Sequence, residues 1–138
     1  MDAQKLPLMV LYNTGESWFL EKNATPIAIF LGYEEEAVYV KNIHKTNYFA
    51  ARELCDQMDV ENLFWCIPNE KQLQKLLDCL EDFNKTAKLL GLEPMKNGNY
   101  WSRRKLFNGI RLGVNFALQK ETALAEDEFA FTRPFLRL

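Results

Sequence analysis

Short apolar runs separated by turn residues fill the first quarter of the chain, a pattern typical of antiparallel strands. Residues 6–12 form the first run, which ends at the turn signal Asn13-Thr14-Gly15. Residues 17–20 then supply a second apolar segment that fits as its hairpin partner. The pattern therefore predicts a β-hairpin at the N-terminus.

A second pair of apolar runs covers residues 26–32 and 37–41. Pro26 is tolerated at the start because the first residue of a strand need not donate to the ladder. Three consecutive acids, Glu34 to Glu36, lie between the runs and predict a solvated hairpin tip. A cation site is not favoured here, since nothing nearby supplies the remaining oxygen ligands.

Spacings of three and four residues between apolar positions then predict two main helices. In residues 46–58, Thr46 is the predicted N-cap of an apolar stripe made of Tyr48, Ala51, Leu54, Cys55 and Met58. Asn69 is the predicted N-cap of the stronger helix, whose apolar face carries Leu73, Leu76, Leu77, Leu80 and Phe83. Residues 84–90 either continue this helix or begin another, and Gly91 suits the left-handed residue that ends it.

The second half of the chain otherwise has strand-like patterns. Residues 64–67 read as a short buried strand, and residues 100–104 as another. A strict alternation predicts a half-buried antiparallel strand with one face formed by Ile110, Leu112, Val114 and Phe116. Residues 129–138 close the chain, where Pro134 predicts an edge strand or a bulge.

Length and charge narrow the class of protein. With 138 residues, 48% of them hydrophobic, the chain is expected to form a single α+β domain over residues 1–138. Its 17 basic and 19 acidic residues give a net charge of −2, which disfavours nucleic acid as a partner because such binding requires a basic excess. The sequence leaves the oligomeric state open.

Targeting signals are missing from the pattern. No apolar stretch approaches the ~20 residues that span a bilayer, and the N-terminus lacks the features of a signal peptide. We therefore expect no membrane insertion. The expected location is cytoplasmic by default, or extracellular if the chain is already mature or is carried outside by a partner.

The side chains available for catalysis or metal binding are few. His44 is the sole histidine, and its place between a predicted strand and helix suits a cap or loop residue. Cys55, Cys66 and Cys79 lack the close paired spacing of zinc ligands and form no disulfide framework. We expect buried thiols, and whether Cys55 and Cys79 are bridged stays open. The sequence predicts no catalytic residue, no metal site and no cofactor, and therefore no enzyme.

An ordered series of landmarks resembles one bacterial family. The landmarks are Ala50-Ala-Arg-Glu-Leu-Cys55, Trp65-Cys-Ile-Pro-Asn-Glu-Lys-Gln-Leu73, Tyr100-Trp-Ser102, Gly113-Val-Asn-Phe116 and Thr132-Arg-Pro-Phe135. Together they resemble the Lcl C-terminal domain family, the module found at the end of collagen-like bacterial adhesins. The likeness covers about residues 26–138 and leaves residues 1–25 as an N-terminal β-hairpin extension.

The resemblance implies a C-type-lectin-like fold, with two main helices packed on small irregular antiparallel sheets. Two departures are visible: Asn69 stands where the family has Thr, and Arg103 replaces the second Ser of its Tyr-Trp-Ser-Ser strand. The sequence contains no collagen-like repeat, so the resemblance does not carry the adhesin role. Calcium-dependent sugar binding is not favoured, because the loop that begins at Glu93 offers too few oxygens for calcium.

The candidate contact surface is the segment from residue 97 to residue 111. Arginines and aromatic residues are enriched at interface hot spots, and loops on rigid scaffolds carry much of protein binding. Successive strand residues point to opposite faces, so of Tyr100 and Trp101 we expect one in the core and one nearer the surface. The predicted surface residues are Asn97, Asn99, Trp101, Arg103, Arg104, Asn108 and Arg111.

These patterns predict a non-catalytic binding domain of bacterial type. It would recognise a ligand, a glycan or a protein partner through the segment from residue 97 to residue 111. The alternative is a structural subunit of a larger bacterial or phage assembly that docks through its N-terminal strands.

Overall fold

The computed structural model describes residues 4–32 and 37–137. Within these residues it contains eleven strands in two sheets together with three α-helices, which confirms the predicted α+β class. The hairpin tip predicted at Glu34 to Glu36 lies outside the described residues.

One sheet has six strands and includes both the first and the last strand of the protein. With strands numbered in chain order, its members are β1 (Lys5–Tyr12), β2 (Gly15–Phe19), β3 (Pro26–Phe30), β4 (Ala37–Tyr39), β6 (Trp65–Cys66) and β11 (Phe135–Leu136). Their spatial order is β2-β1-β3-β4-β11-β6. The predicted N-terminal hairpin is confirmed, since Val10 pairs with Ser17 and Tyr12 pairs with Gly15.

The other sheet has five strands. Its members are β5 (Ile43–Thr46), β7 (Asn99–Phe107), β8 (Ile110–Asn115), β9 (Lys120–Ala125) and β10 (Ala130–Thr132), in the spatial order β5-β10-β7-β8-β9. Strand β10 pairs with β7 in parallel, and the remaining pairs are antiparallel. The alternation predicted from Ile110 onward is confirmed, because β8 is antiparallel to both β7 and β9 and buries Leu112 and Val114.

Three α-helices cover the sheets, where two main helices were expected. They are α1 (Tyr48–Gln57), α2 (Glu70–Asp78) and α3 (Leu80–Leu89). Cys79, at φ −102° and ψ 13°, separates α2 from α3, so residues 84–90 belong to a helix that begins just after this break. The predicted end at Gly91 is confirmed by its left-handed φ of 73°.

Side-chain caps fix the start of two helices. Asn69 caps α2 as predicted: the backbone N of Gln72 donates to Asn69 Oδ1, and the backbone N of Asn69 donates to Gln72 Oε1, both at 2.8 Å. The prediction for α1 was wrong by one residue. Thr46 pairs with Ala130 as the last residue of β5, and Asn47 caps the helix by accepting from Ala50 N at 2.9 Å.

For the C-terminal segment the predicted edge strand is wrong, whereas a register shift of the kind that marks a bulge lies between Ala130 and Thr132. Strand β10 lies between β5 and β7, and β11 lies between β4 and β6, so both are internal strands. Pro134 falls between them, where the chain crosses from one sheet to the other, and its carbonyl accepts from Tyr39 N at 2.8 Å. Proline is tolerated there because the position between two strands donates no ladder hydrogen bond.

Strand β7 is covered on both of its faces. Tyr100 and Trp101 are each 0% exposed, which corrects the expectation that one of them lies near the surface. On one side Tyr100 belongs to the cluster that includes Leu73, Leu76, Phe83, Val114 and Phe116. On the other side Trp101 belongs to the cluster of Tyr48, Ala51, Cys55, Ile67, Leu124 and Ala130. Each buried large side chain contributes about 1.5–3 kcal/mol, so this strand anchors the fold.

Candidate binding cleft

The predicted contact residues do not form one surface, because they extend along β7 and past both of its ends. Asn97 precedes the strand and Asn108 follows it, and both side chains are exposed. At ~3.3 Å per residue, these two asparagines lie roughly 30 Å apart, too far for one small ligand. Asn99 is half-buried, and its Oδ1 accepts a hydrogen bond from Asn115 Nδ2 at 2.7 Å.

Trp101 is a core residue, which corrects its assignment to the contact surface. Its Nε1 donates to the Thr46 carbonyl at 2.9 Å, and its ring meets the Tyr48 ring edge-on at a centroid distance of 5.5 Å. Because α1 covers this face of β7, a substitution at Trp101 acts through folding rather than through lost contact with a partner.

Arg111 is held within the fold by three groups. Its Nε donates to Glu126 Oε2 at 2.9 Å, and its Nη1 donates to the Arg103 carbonyl at 2.8 Å. The guanidinium carbon lies 4.0 Å from the centroid of the Tyr48 ring, which adds a cation–π contact. Arg111 therefore joins β8 to α1 and to the connection after β9, and it is not a contact residue in the predicted sense.

Arg103 and Arg104 are exposed, as the predicted surface requires. The side chains of these two neighbouring arginines have different hydrogen-bond partners. Arg104 pairs with Glu70 at the start of α2. The backbone N of Arg103 donates to the Pro68 carbonyl at 2.9 Å, which ties β7 to the chain that leaves β6.

The side chain of Arg103 borders a cleft of about 280 Å³ between α1, β6, β7 and the end of β11. We call this site the arginine cleft. It is lined by Tyr48, Arg52, Cys55, Asp56, Cys66, Ile67, Arg103 and Arg137. Four separate parts of the chain thus supply one concave surface.

Positive charge dominates the arginine cleft, because three guanidinium groups face one carboxylate, that of Asp56. Within residues 4–32 and 37–137, Arg52, Arg103 and Arg137 form no ion pair. Arg103 Nη1 lies 3.7 Å from Cys66 Sγ and donates weakly to it. The site can therefore accept an anionic group without first breaking a salt bridge in the described part of the chain.

The inner wall of the cleft is rigid and apolar. Tyr48, Cys55 and Ile67 are buried members of the Trp101 cluster. Burial raises the pKa of the Tyr48 hydroxyl, and nearby Arg111 and Arg52 act against that rise. The cleft thus combines charged, exposed rim residues with a buried floor.

The cysteines form no disulfide framework, as predicted, but only Cys55 is fully buried, whereas Cys66 and Cys79 are half-buried. No disulfide joins Cys55, Cys66 and Cys79. Cys55 and Cys66, which the sequence did not associate, line the same cleft. Burial, with smaller contributions from Cys66 and Asp56, raises the pKa of the Cys55 thiol to about 12, so this sulfur stays protonated at neutral pH.

The remaining candidates for chemistry do not converge. His44 is exposed on β5, at the edge of the five-stranded sheet, rather than in a loop as predicted. Across the described ranges, no three His, Cys, Asp or Glu side chains come together as a group that could hold a metal ion.

Three charged residues of the cleft were missed by the sequence prediction: Arg52, Asp56 and Arg137. Arg52 and Asp56 lie four residues apart on α1, and charged residues at this spacing indicate a solvated helix face. Their proximity to Arg103 depends on the packing of α1 against β6 and on the crossing from β10 to β11. No local signal encodes these contacts.

A scan of protein-family models and a search among curated proteins both return no match to this chain. Among the described residues, no helix has the length and apolar character needed to cross a membrane.

Proposed function

We propose that this chain is a non-catalytic binding domain whose contact surface centres on Arg103 and Arg104 of β7. The observation that carries the proposal is the arginine cleft, a concave site in which three guanidinium groups lack ion-pair partners among the described residues. Arginine is over-represented where a protein binds a partner, because its planar fork makes several directed hydrogen bonds. The proposed contact surface contains fewer residues than the segment predicted from the sequence, because the side chains of Trp101 and Arg111 are engaged in contacts within the fold.

The proposal extends to a second depression beside the cleft. Arg103 and Arg104 also line an open hollow of about 450 Å³ together with Asn69, Glu70 and Lys71. A protein partner that covers both concavities would contact β7 at its centre and the first turn of α2. Because Arg103 and Arg104 lie on a strand, their backbone is already ordered, and binding a partner costs little backbone conformational entropy.

We further propose the finer fold, a C-type-lectin-like domain similar to the Lcl C-terminal domain family. What supports it is the structural role of the shared landmarks. Trp65 is buried in β6, Asn69 caps α2, and Tyr100 to Ser102 form the doubly covered part of β7. Arg133 and Pro134 are buried where the chain crosses between sheets. These landmarks hold structural positions, as expected if the protein and the family share one architecture. The same proposal includes that the protein is of bacterial type, like the family.

The test is capture of a partner by the full chain from bacterial extract, followed by measurement of the dissociation constant with the purified partner. The variant is Arg103→Ala/Arg104→Ala. The matched control is Lys85→Ala/Lys88→Ala, which removes the same charge from exposed positions on α3. We expect the arginine variant to bind about tenfold or more weakly, because each lost charged hydrogen bond weakens binding substantially, and the control to bind like the wild type.

Two outcomes would contradict this function. Equal affinity of both double variants would place the contact away from β7. Reproducible turnover of a substrate that is abolished by Cys66→Ala or His44→Ala would make the protein an enzyme.

A second candidate function is a structural subunit of a larger bacterial or phage assembly. The observation that favours it is the N-terminal hairpin: β2 is the outer strand of its sheet, and Phe19 on it is 43% exposed. An unpaired strand edge is a template for pairing with another chain. Concentration-dependent growth of the mass in solution, abolished by Phe19→Ser but not by Arg103→Ala, would favour this candidate over the first.

A further inference from the structure

The guanidinium groups of the arginine cleft come from separate elements. Arg52 extends from α1, Arg103 from β7, and Arg137 from the residue after β11. All three residues are exposed, while the floor beneath them is buried. Cations that reach one hollow from several sides can contact different oxygens of the same anion. This arrangement therefore favours an anion with several oxygens over an anion with one acceptor atom.

The size of the arginine cleft limits the ligand. Pockets for drug-sized molecules measure about 300–1,000 Å³, and this cleft, at about 280 Å³, falls just below that range. The apolar floor of Cys55 and Ile67 can hold a small carbon skeleton next to the charged rim. Asp56 adds one acceptor for a hydroxyl or amine donor of the ligand.

The neighbouring cations argue against a polyanion. Arg104 is paired with Glu70, and Arg111 is paired with Glu126. A nucleic acid or another polyanion needs a continuous basic track, since its affinity comes from many phosphate contacts. Of the arginines in this region, only the three that line the cleft form no ion pair among the described residues.

We infer that the arginine cleft binds a small organic oxyanion whose phosphate or carboxylate head contacts Arg52 and Arg103. This inference deepens the proposed binding function by naming a ligand class, and it rests on that function. Guanidinium groups bind both heads through paired N–H···O contacts, so the two heads share one recognition chemistry. The ligand's carbon skeleton lies against Ile67 and the Tyr48 ring.

The test is a calorimetric titration of the full chain with three probes: inorganic phosphate, phenyl phosphate and benzoate. Ionic strength is held constant with sodium chloride so that general salt effects cancel. The variant is Arg52→Gln/Arg103→Gln, and the matched control is Lys85→Gln/Lys88→Gln, which removes two exposed cations on α3, outside the cleft. Amide NMR shifts at Tyr48 and Ile67 report whether the probe lies in the cleft.

The expected result is saturable binding of at least one probe, weakened about tenfold or more in the cleft variant and less than about twofold in the control. Stronger binding of phenyl phosphate assigns a phosphate head, and stronger binding of benzoate assigns a carboxylate head. No saturable binding of any probe overturns the inference. Binding that the cleft variant retains in full also overturns it.

The two proposals fail in different ways. If the Arg103→Ala/Arg104→Ala variant loses its protein partner but no probe binds to the wild type, only the oxyanion inference is wrong. If the probes bind with the expected variant dependence and the arginine variant captures the same partner with unchanged affinity, the protein-contact surface is wrong and the oxyanion site stands.

Discussion

The arginine cleft and the surroundings of Arg133 both hold guanidinium groups that have no carboxylate partner among the described residues. The two regions differ in which groups accept hydrogen bonds from these guanidinium groups. Arg133 is 0% exposed. Its Nε donates to the Tyr39 carbonyl at 2.7 Å, and its Nη1 donates to Asn42 Oδ1 at 3.2 Å and to the Pro94 carbonyl at 3.4 Å. Arg103, by contrast, meets solvent and one sulfur atom.

This difference separates a structural arginine from one available for binding. Around Arg133 the acceptors are backbone carbonyls and an amide that is itself ordered, since the Tyr100 hydroxyl donates to Asn42 Oδ1 at 2.7 Å. Burial lowers the pKa of the Arg133 guanidinium to about 10, against an ordinary value of 12.5. The buried charge of Arg133 therefore reduces the stability of the fold. The N–H donors of Arg133 join β4, the loop before β7 and the crossing to β11.

The largest expected effect comes from Arg133→Ala. We expect a loss of about 3–5 kcal/mol in the free energy of unfolding, because a cavity opens and the Tyr39 carbonyl loses its donor. Arg103→Ala should change it by less than about 0.5 kcal/mol, since an exposed side chain is removed. Urea unfolding of both variants measures this contrast.

Arg133→Met serves as the control for charge. Methionine fills much of the space, and removing the buried charge relieves a desolvation cost, because the lowered pKa means that the fold opposes the charged form at neutral pH. We expect Arg133→Met to recover at least about half of the loss caused by Arg133→Ala. Equal losses for the two variants would show that the hydrogen bonds of Arg133 outweigh its desolvation.

Locally encoded parts of the fold followed from the sequence. The N-terminal hairpin, the Asn69 cap and the end at Gly91 depend on residues a few positions apart, and all three were predicted. Strand β5 was missed because its partner β10 lies far along the chain. Strand β9 forms a local hairpin with β8, where Asn115 pairs with Lys120, and was missed because it buries only Leu124. The helix break at Cys79 was also missed, since an apolar stripe runs across it without interruption.

The floor of the arginine cleft offers a second comparison with the Arg133 region, because Cys55 is buried there. Its pKa is 9.0 in the unfolded reference and about 12 in the fold, so its contribution to stability is complete below pH 9 and is lost as pH rises toward 12. Between pH 8 and 10 we expect the titration of Cys55 to lower the free energy of unfolding by about 1–2 kcal/mol.

Unfolding in urea at several pH values, with wild type and Cys55→Ala, measures this slope. The slope of the Cys55→Ala variant should be flatter than that of the wild type by this amount. Burial also raises the pKa of Tyr100 to about 12 from 10.0, and the contribution of Tyr100 cancels in the comparison of the wild type with Cys55→Ala. Parallel slopes for wild type and Cys55→Ala would mean that water reaches the floor of the cleft.

The candidate site was predicted only at its most exposed residues. Arg103 and Arg104 are exposed, as their charge leads one to expect, and Arg103 also lines the arginine cleft. Trp101 was wrong because its burial depends on α1, and a single sequence does not say which face of a strand a helix covers. Arg52 and Arg137 were missed, since they lie 51 and 34 positions from Arg103 in the sequence.

The smallest expected effect is the coupling between Arg104 and Glu70 at the outer edge of this surface. Their side chains are 54% and 35% exposed, so solvent screens the pair and we expect a coupling energy of about 0.2–1 kcal/mol. A double-mutant cycle of Arg104→Ala and Glu70→Ala isolates it from the separate interaction of Glu70 with the α2 dipole. The coupling should fall further as salt rises. A coupling energy above about 2 kcal/mol that does not change with salt would contradict this expectation. The pair would then behave like the buried surroundings of Arg133, and the contrast between the two regions would not hold.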